Sequence, residues 1–373
     1  MTGEEKIRNA FFTLLRAGLW GETPDSACFP LQEKEWNLLY GQARKQTVEG
    51  IVYDGLLLLP DPYFPPRAVL LKWTAGVDAL ERRNKRMNRV IGEQNRWFEE
   101  NGIEAWLLKG QGVAACYEQP LHRSCGDIDW YFPHPQDYEK TISLLKEKGI
   151  RVERQAGFSL AYSWGGFVVE HHSRLLDIHN PLAGAYLKRI IEKESVRPAV
   201  WEEAGMRILL PSPVLAHLLV NTHILKHMLA FGIGLRQLCD SARVCYRYQE
   251  AGEGMLLEKI YRRIGIGRWI QLLNRLLIKE LGMPGACSPF PLAVSGNPEW
   301  MLEEIWQGGN FGFYDRRFGQ NAKEPRKKRT HVWRQWFHRM GLHFRYAPWE
   351  TCWFPLVQLY SRIHIKTKNA IKK

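Results

Sequence analysis

Apolar residues recur at helical spacing through most of the first hundred positions. Ile7, Phe11, Leu14 and Leu15 share one face, which predicts a helix over 5–19. Trp36, Leu39, Ala43 and Val48 carry the same period through 33–57, until the proline-rich piece 60–66 breaks it. One long helix is expected over 67–100, polar in its second half. It should stop at Asn101-Gly102, residues that tolerate a left-handed cap.

The pattern changes at Ile103. Short apolar runs at 104–108 and 128–132 read as strands, with a helix over 111–118 between them, ended by Pro120. A further helix over 137–148 closes at Gly149. Residues 150–154, 158–163, 166–171 and 174–179 read as short strands, and Ser163-Trp164-Gly165-Gly166 as a hairpin turn. From Pro211 the helical period returns over 212–230, 234–250 and 255–281, followed by a Pro/Gly/Ser-rich loop over 284–297. The expected class is α+β, a small mixed sheet between helical N-terminal and C-terminal regions. The expected divisions are a helical region 1–100, an α/β core 101–210, a helical domain 211–321 and a tail 322–373.

Charge alters this picture in one place. The chain of 373 residues carries a formal net charge of +13, and residues 322–373 supply +11 of it, with thirteen Lys/Arg against two Asp/Glu. The remainder is close to neutral, so overall basicity says little about the substrate of the core. The tail interleaves its cations with Trp333, Trp336, Phe337, Phe344, Trp349 and Trp353. Three roles suit it: folding onto the helical domain, lying on an anionic membrane surface, or binding nucleic acid. The first is preferred. Seven cysteines without a C-x-x-C pair, no secretory signal and no long apolar run point to a reduced, cytoplasmic location, with peripheral attachment to a membrane as a variant.

The candidate chemistry lies in Lys109-Gly110, twelve further residues, Arg123, and then Gly126-Asp127-Ile128-Asp129. Alternation along a strand sends Asp127 and Asp129 to one face. Carboxylates that close repel one another, and a divalent cation relieves the repulsion. Magnesium suits such a set together with substrate phosphates. A third carboxylate from a neighbouring strand is expected; Asp177 is preferred and Glu170 is its rival. Lys109, Gly110 and Arg123 are candidate phosphate ligands, through charge and close backbone approach. No P-loop or dinucleotide fingerprint is present there.

Arg236 and Asp240, four apart on a helix, form either an ordinary ion pair or part of a nucleotide cleft with Arg236 near phosphate or base. His171, His172, His179, His223 and His227 raise zinc as an alternative metal. No Glu follows His223, however, and histidines hydrogen-bonded between the core and the helical domain are the preferred reading.

In this order the features resemble the uncharacterised bacterial nucleotidyltransferases of the polymerase-beta superfamily. The resemblance covers roughly residues 30–250. It rests on Leu108-Lys109-Gly110, Arg123, Asp127-Ile128-Asp129, Asp177-Ile178-His179, His223 with His227, and the Leu235-Arg236-Gln237-Leu238-Cys239-Asp240 box. Lys-Gly stands where the superfamily usually has Gly-Ser, and the gap from Gly110 to Asp127 is longer. The resemblance implies a nucleotidyltransferase core that moves an NMP from an NTP to an acceptor. Asp127, Asp129 and Asp177 would hold Mg2+, and Lys109, Gly110, Arg123 and Arg236 would meet the nucleotide. The alternative is a non-catalytic nucleotide-binding or adaptor protein whose basic tail docks to membrane or nucleic acid.

Overall fold

The computed structural model of the protein describes residues 2–154, 159–203, 205–292, 296–315, 317 and 329–370, with 329–336 and 361–370 given by backbone alone. Four helices open the chain: α1 (Gly3–Trp20), α2 (Glu33–Lys45), α3 (Glu49–Leu56) and α4 (Arg67–Glu100). The Thr2 hydroxyl caps α1 and Glu5 returns a bond to the Thr2 N–H, so the helix starts on a capping box. The helix expected over 33–57 is broken in two. Thr47 takes a left-handed φ of 55° and turns the chain between α2 and α3.

Seven strands among the described residues form one mixed sheet. They are β1 (Trp106–Leu107), β2 (Ile128–Tyr131), β3 (Glu153–Arg154), β4 (Ser159–Trp164), β5 (Phe167–His172), β6 (Ala199–Glu203) and β7 (Met206–Leu210), in the order β3-β4-β5-β2-β1-β7-β6. β2 runs parallel to β5, and β1 is antiparallel to β2 and parallel to β7. The β4–β5 hairpin turns at Gly165 and Gly166, both at positive φ, as the sequence suggested; Phe158, expected to start β4, lies outside the described residues.

The strand expected over 174–179 does not form. Its Leu175 and Leu176 are buried among apolar residues of the surrounding helices, and its end is held by a side chain rather than by a sheet neighbour. The β6–β7 hairpin, which sequence reasoning missed, extends the sheet on the side of β1 instead. Two short helices lie within this region, α5 (Gln111–Ala114) and α6 (Pro135–Glu147). The first is much shorter than the 111–118 expected.

After α7 (Gly184–Glu194), also unforeseen, the chain is helical again: α8 (Pro213–Ala230), α9 (Leu235–Arg247), α10 (Gly254–Arg263), α11 (Gly267–Leu281), α12 (Glu299–Gly308), α13 (Arg329–Phe344) and α14 (Pro348–Ala370). Gly265, at φ 84°, separates α10 from α11 where one helix was expected. The expected loop over 284–297 contains a single 3-10 turn, Gly285–Cys287, and its residues 293–295 lie outside the described set.

Two apolar cores result. One joins α1–α3 to α8–α12, with Phe11, Trp36, Leu218, Trp269 and Leu276 fully enclosed. The other lies under the sheet, around Phe98, Trp130 and Ile208. Helix α4 belongs to both, through Val69, Trp73 and Val77 in its first half and Met87, Ile91 and Phe98 in its second.

α4 also holds the loop that leads into β2. Asn84 Nδ2 donates to the carbonyls of Leu121 (2.7 Å) and Arg123 (3.0 Å), and Arg83 donates to those of Cys125 and Gly126. His122 bridges Asp54 of α3 (2.5 Å) and Glu81 of α4 (2.9 Å). Burial opposes a charge on this imidazole, but the two carboxylates outweigh burial and raise its pKa. A histidine raised on folding gives stability that is complete below its unfolded value of about 6.5 and is lost as pH climbs through the folded value. His122→Gln should therefore cost more stability near ~pH 6 than near ~pH 9 in urea unfolding. An equal loss at both would show a neutral bridge.

Candidate active site

The parallel register of β2 and β5 sets Ile128 beside Val169, Asp129 beside Glu170, Trp130 beside His171 and Tyr131 beside His172. One face of this pair is locked into the lower core by a polar chain. Trp130 Nε1 donates to Gln94 (3.0 Å), Gln94 Nε2 donates to the Tyr162 hydroxyl (3.0 Å), and that hydroxyl meets His171 Nε2 at 2.8 Å. With Trp130 and His171 fixed inward, alternation turns Asp127, Asp129, Glu170 and His172 to the opposite face.

That face opens on a cleft of about 380 Å³. The residues read as carboxylate or phosphate ligands line it: Lys109, Gly110, Arg123, Asp127, Asp129, Asp177 and Arg236. Their roles within it differ. Lys109 Nζ is 3.2 Å from Asp129 Oδ1, and His172 Nε2 is 2.6 Å from the same oxygen and 3.6 Å from Glu170. Ligand atoms of Asp129, Glu170 and His172 all lie within 4.8 Å of one another.

The electrostatics follow from this crowding. Asp129 is only 3% exposed, and burial works against its charge. Lys109 and His172 overcome burial and hold its carboxyl well below the ordinary range. Asp127 pays for that neighbour: the Asp129 charge first, then burial, push its carboxyl up. Glu170 is raised too, by burial and then by Asp129 and Asp127. Burial disfavours the Lys109 ammonium, yet the surrounding carboxylates, Asp129 foremost, keep it charged.

Asp177 also faces the cleft, and its charge acts on Lys109 next after that of Asp129. Its oxygens meet Lys226 Nζ at 2.7 Å and His223 Nδ1 at 3.0 Å. The place beside Asp129 on the neighbouring strand belongs to Glu170, because the sheet ends at His172 before Asp177 is reached. Just beyond Asp177, the backbone N–H groups of His179 (2.9 Å) and Asn180 (2.8 Å) donate to the Glu350 carboxylate, which is 1% exposed. Glu350 belongs to α14, and Val357 and Gln358 of that helix line the cleft. The described part of the tail thus folds onto the body of the protein; its basic run 323–328 and the side chains of Trp333 and Trp336 lie outside the described residues.

The expectation for Arg123 needs revision, and of the two readings of Arg236 the ion pair with Asp240 does not form. Arg123 does not present a free guanidinium: it forms a buried two-pronged pair with Asp240, at 2.9 and 2.6 Å, and Tyr117 also donates to Asp240 at 2.8 Å. This displaces the Arg236–Asp240 pair suggested by helical spacing. Arg236 instead donates to the Ser124 carbonyl at 2.8 Å. Gly110 sits at φ 57°, where an added Cβ would come within 2.8 Å of the Cys125 sulfur. α5 behind it is a single turn, so its helix dipole is slight.

The five histidines raised as zinc ligands do not share one site. His171 is in the core, His179 pairs with Glu350, and His223 pairs with Asp177 and packs against His227 at 4.3 Å between ring centroids. His172 alone of the five joins the cluster of Asp129 and Glu170.

The family described as uncharacterised nucleotidyltransferase matches residues 32–281, some two thirds of the chain. The chain belongs to this family. Among solved structures, an antigenic nucleotidyltransferase-like protein from Paracoccidioides brasiliensis is similar over 55% of this chain and 93% of its own, at 15% identity and a TM-score of 0.32. No curated protein matches. No helix among the described residues is long and apolar enough to cross a membrane.

The Arg123–Asp240 pair joins the loop before β2 to α9, so breaking it should be felt globally. Removing one partner of a buried pair strands the other charge and costs about 3–5 kcal/mol. Asp240→Ala is expected to lose stability on that scale in urea unfolding, and the joint change Arg123→Met with Asp240→Leu distinctly less.

Proposed function

We propose that the protein transfers a nucleoside monophosphate from a nucleoside triphosphate to an acceptor nucleophile, with Asp127, Asp129 and Glu170 holding magnesium at the cleft. The observation that carries this is the β2–β5 register. It sets Asp129 beside Glu170, and Asp127 joins them in the cleft just before β2; Asp127 is raised first by Asp129, Glu170 first by burial and then by the two aspartates. That donor set suits a hard divalent cation, since oxygen ligands and unrelieved negative charge are what magnesium takes. When bound, the metal supplies positive charge to the triphosphate oxygens and steadies the departing pyrophosphate.

The chain's own residues do the rest by position. Lys109 draws Asp129 into place and carries charge towards the phosphates. His172 fixes the other approach to Asp129 and limits its rotation. Arg236, anchored by one nitrogen to the Ser124 carbonyl, brings a second cation to the wall opposite the strands. Asp177 moves from metal ligand to positioning residue: it holds Lys226 and His223 in the cleft. Arg123 likewise acts through Asp240, by fixing the loop before Asp127. The acceptor forms a bond to the α-phosphorus, the bond to the bridging oxygen breaks, and pyrophosphate leaves with that electron pair. Catalysis is then chiefly positioning and charge stabilisation.

Titration calorimetry with Mg-NTP tests the assignment, with pyrophosphate release as a second readout. Asp129→Asn is expected to abolish magnesium-dependent binding. Glu170→Gln relieves the mutual repulsion, so its Tm without divalent ions should rise while its Tm response to magnesium disappears. Asp177→Asn should retain the magnesium response. If Glu170→Gln binds Mg-NTP as the wild type does and Asp177→Asn does not, the third ligand is Asp177 and the present assignment is wrong.

A further inference from the structure

The lining of the cleft also includes residues of different chemistry. The turn Gly309-Asn310-Phe311-Gly312 follows α12, and Asn310 and Phe311 line the wall. Phe311 sits at φ 51°, ψ 27°, a left-handed conformation that is a genuine outlier for a bulky residue. The surrounding turn enforces it. Gly312 N donates to the Gly309 carbonyl at 3.0 Å, Phe313 N to that of Asn310 at 3.2 Å, and Tyr314 N to that of Gly308 at 3.1 Å. Gly312 is pressed against Phe231, whose carbonyl oxygen would lie 2.1 Å from an added Cβ, so the turn cannot slide to relieve its neighbour.

Packing alone gives no reason for phenylalanine at such a position, where glycine or asparagine would sit without strain. The ring is only half-buried, beside the His227 imidazole at 5.1 Å between centroids. Around it three buried polar atoms have no hydrogen-bond partner among the described residues: Asn310 Oδ1, His227 Nδ1 and Arg236 Nε. All three side chains line the same cleft. Buried polar atoms are nearly always satisfied, so three exceptions lining one cleft call for a partner there. An aromatic face held by a strained backbone, bordered by unpaired donors and acceptors, matches a flat heteroaromatic ring with a hydrogen-bonding edge.

We propose that Phe311 is the stacking platform for the base of the nucleoside triphosphate, with Asn310 and His227 at the base edge. This rests on the triphosphate reading above and adds to it the place of the base. The triphosphate then runs along the cleft from the Phe311 turn, past Arg236, to the carboxylates.

The test compares two probes in the full chain, the tightest-binding of the four Mg-NTPs and inorganic Mg-tripolyphosphate, which has no base. Phe311→Gly removes the ring and also the left-handed strain, so its Tm should match or exceed that of the wild type. It should weaken NTP binding about tenfold or more, the usual range for loss of a stacked base, and leave tripolyphosphate binding unchanged. Phe311→Trp should keep NTP binding. Unaltered NTP affinity in Phe311→Gly overturns the proposal, as does an equal loss for both probes. Wild-type protein that binds neither probe overturns the triphosphate reading, and the platform with it. Binding of tripolyphosphate as tight as that of every NTP overturns the platform alone.

Discussion

Asp129 lies beside Glu170 because two parallel strands share one register, and that register is set from behind by side chains with no part in the chemistry. Trp130, Gln94, Tyr162 and His171 form a continuous chain of hydrogen bonds inside the lower core. A slip of one residue would bury the carboxylates and expose Trp130 and His171, a large penalty on both counts. The arrangement therefore brings like charges together at a cost that the sheet as a whole sustains. Lys109 and His172 meet part of the imbalance, chiefly at Asp129, with His172 reaching Glu170 more distantly. Asp127 and Glu170 are left with raised carboxyls beside it.

Around this centre the long helix α4 acts as a brace. Its first half belongs to the large helical core and its second half to the core under the sheet. Between them, Asn84 and Arg83 hold the backbone of the loop that delivers Asp127. From the other side, α9 holds the same loop through Asp240 and Arg236. The loop has little regular structure of its own, and its shape is imposed by side chains from two helices far apart in sequence.

This explains which features could be read from the chain alone. The α+β class, the long α4, the β4–β5 hairpin and the Asp127–Asp129 alternation are local, written in periodicity and turn residues. The partner of Asp129 is not local. It depends on which strand lies next to β2 and where that strand ends, and an apolar stretch around Leu175-Leu176 reads as strand whether its burial comes from a sheet or from helices. Helical spacing allows Arg236 and Asp240 to pair, yet Arg123, from another element, takes Asp240 with two-pronged geometry. Nothing in the sequence near Phe311 announces its backbone, since phenylalanine is among the residues least suited to that conformation.

Glu350 has one further consequence. It caps the backbone at Asn180 across 170 positions of sequence, so the wall carrying Asp177 is secured by a helix remote from it along the chain. The carboxylates of β2 and β5 emerge first during synthesis, and that wall gains its cap only once α14 has followed. The full outline of the cleft is therefore a late product of folding, whereas the strand pair that carries its acids is an early one.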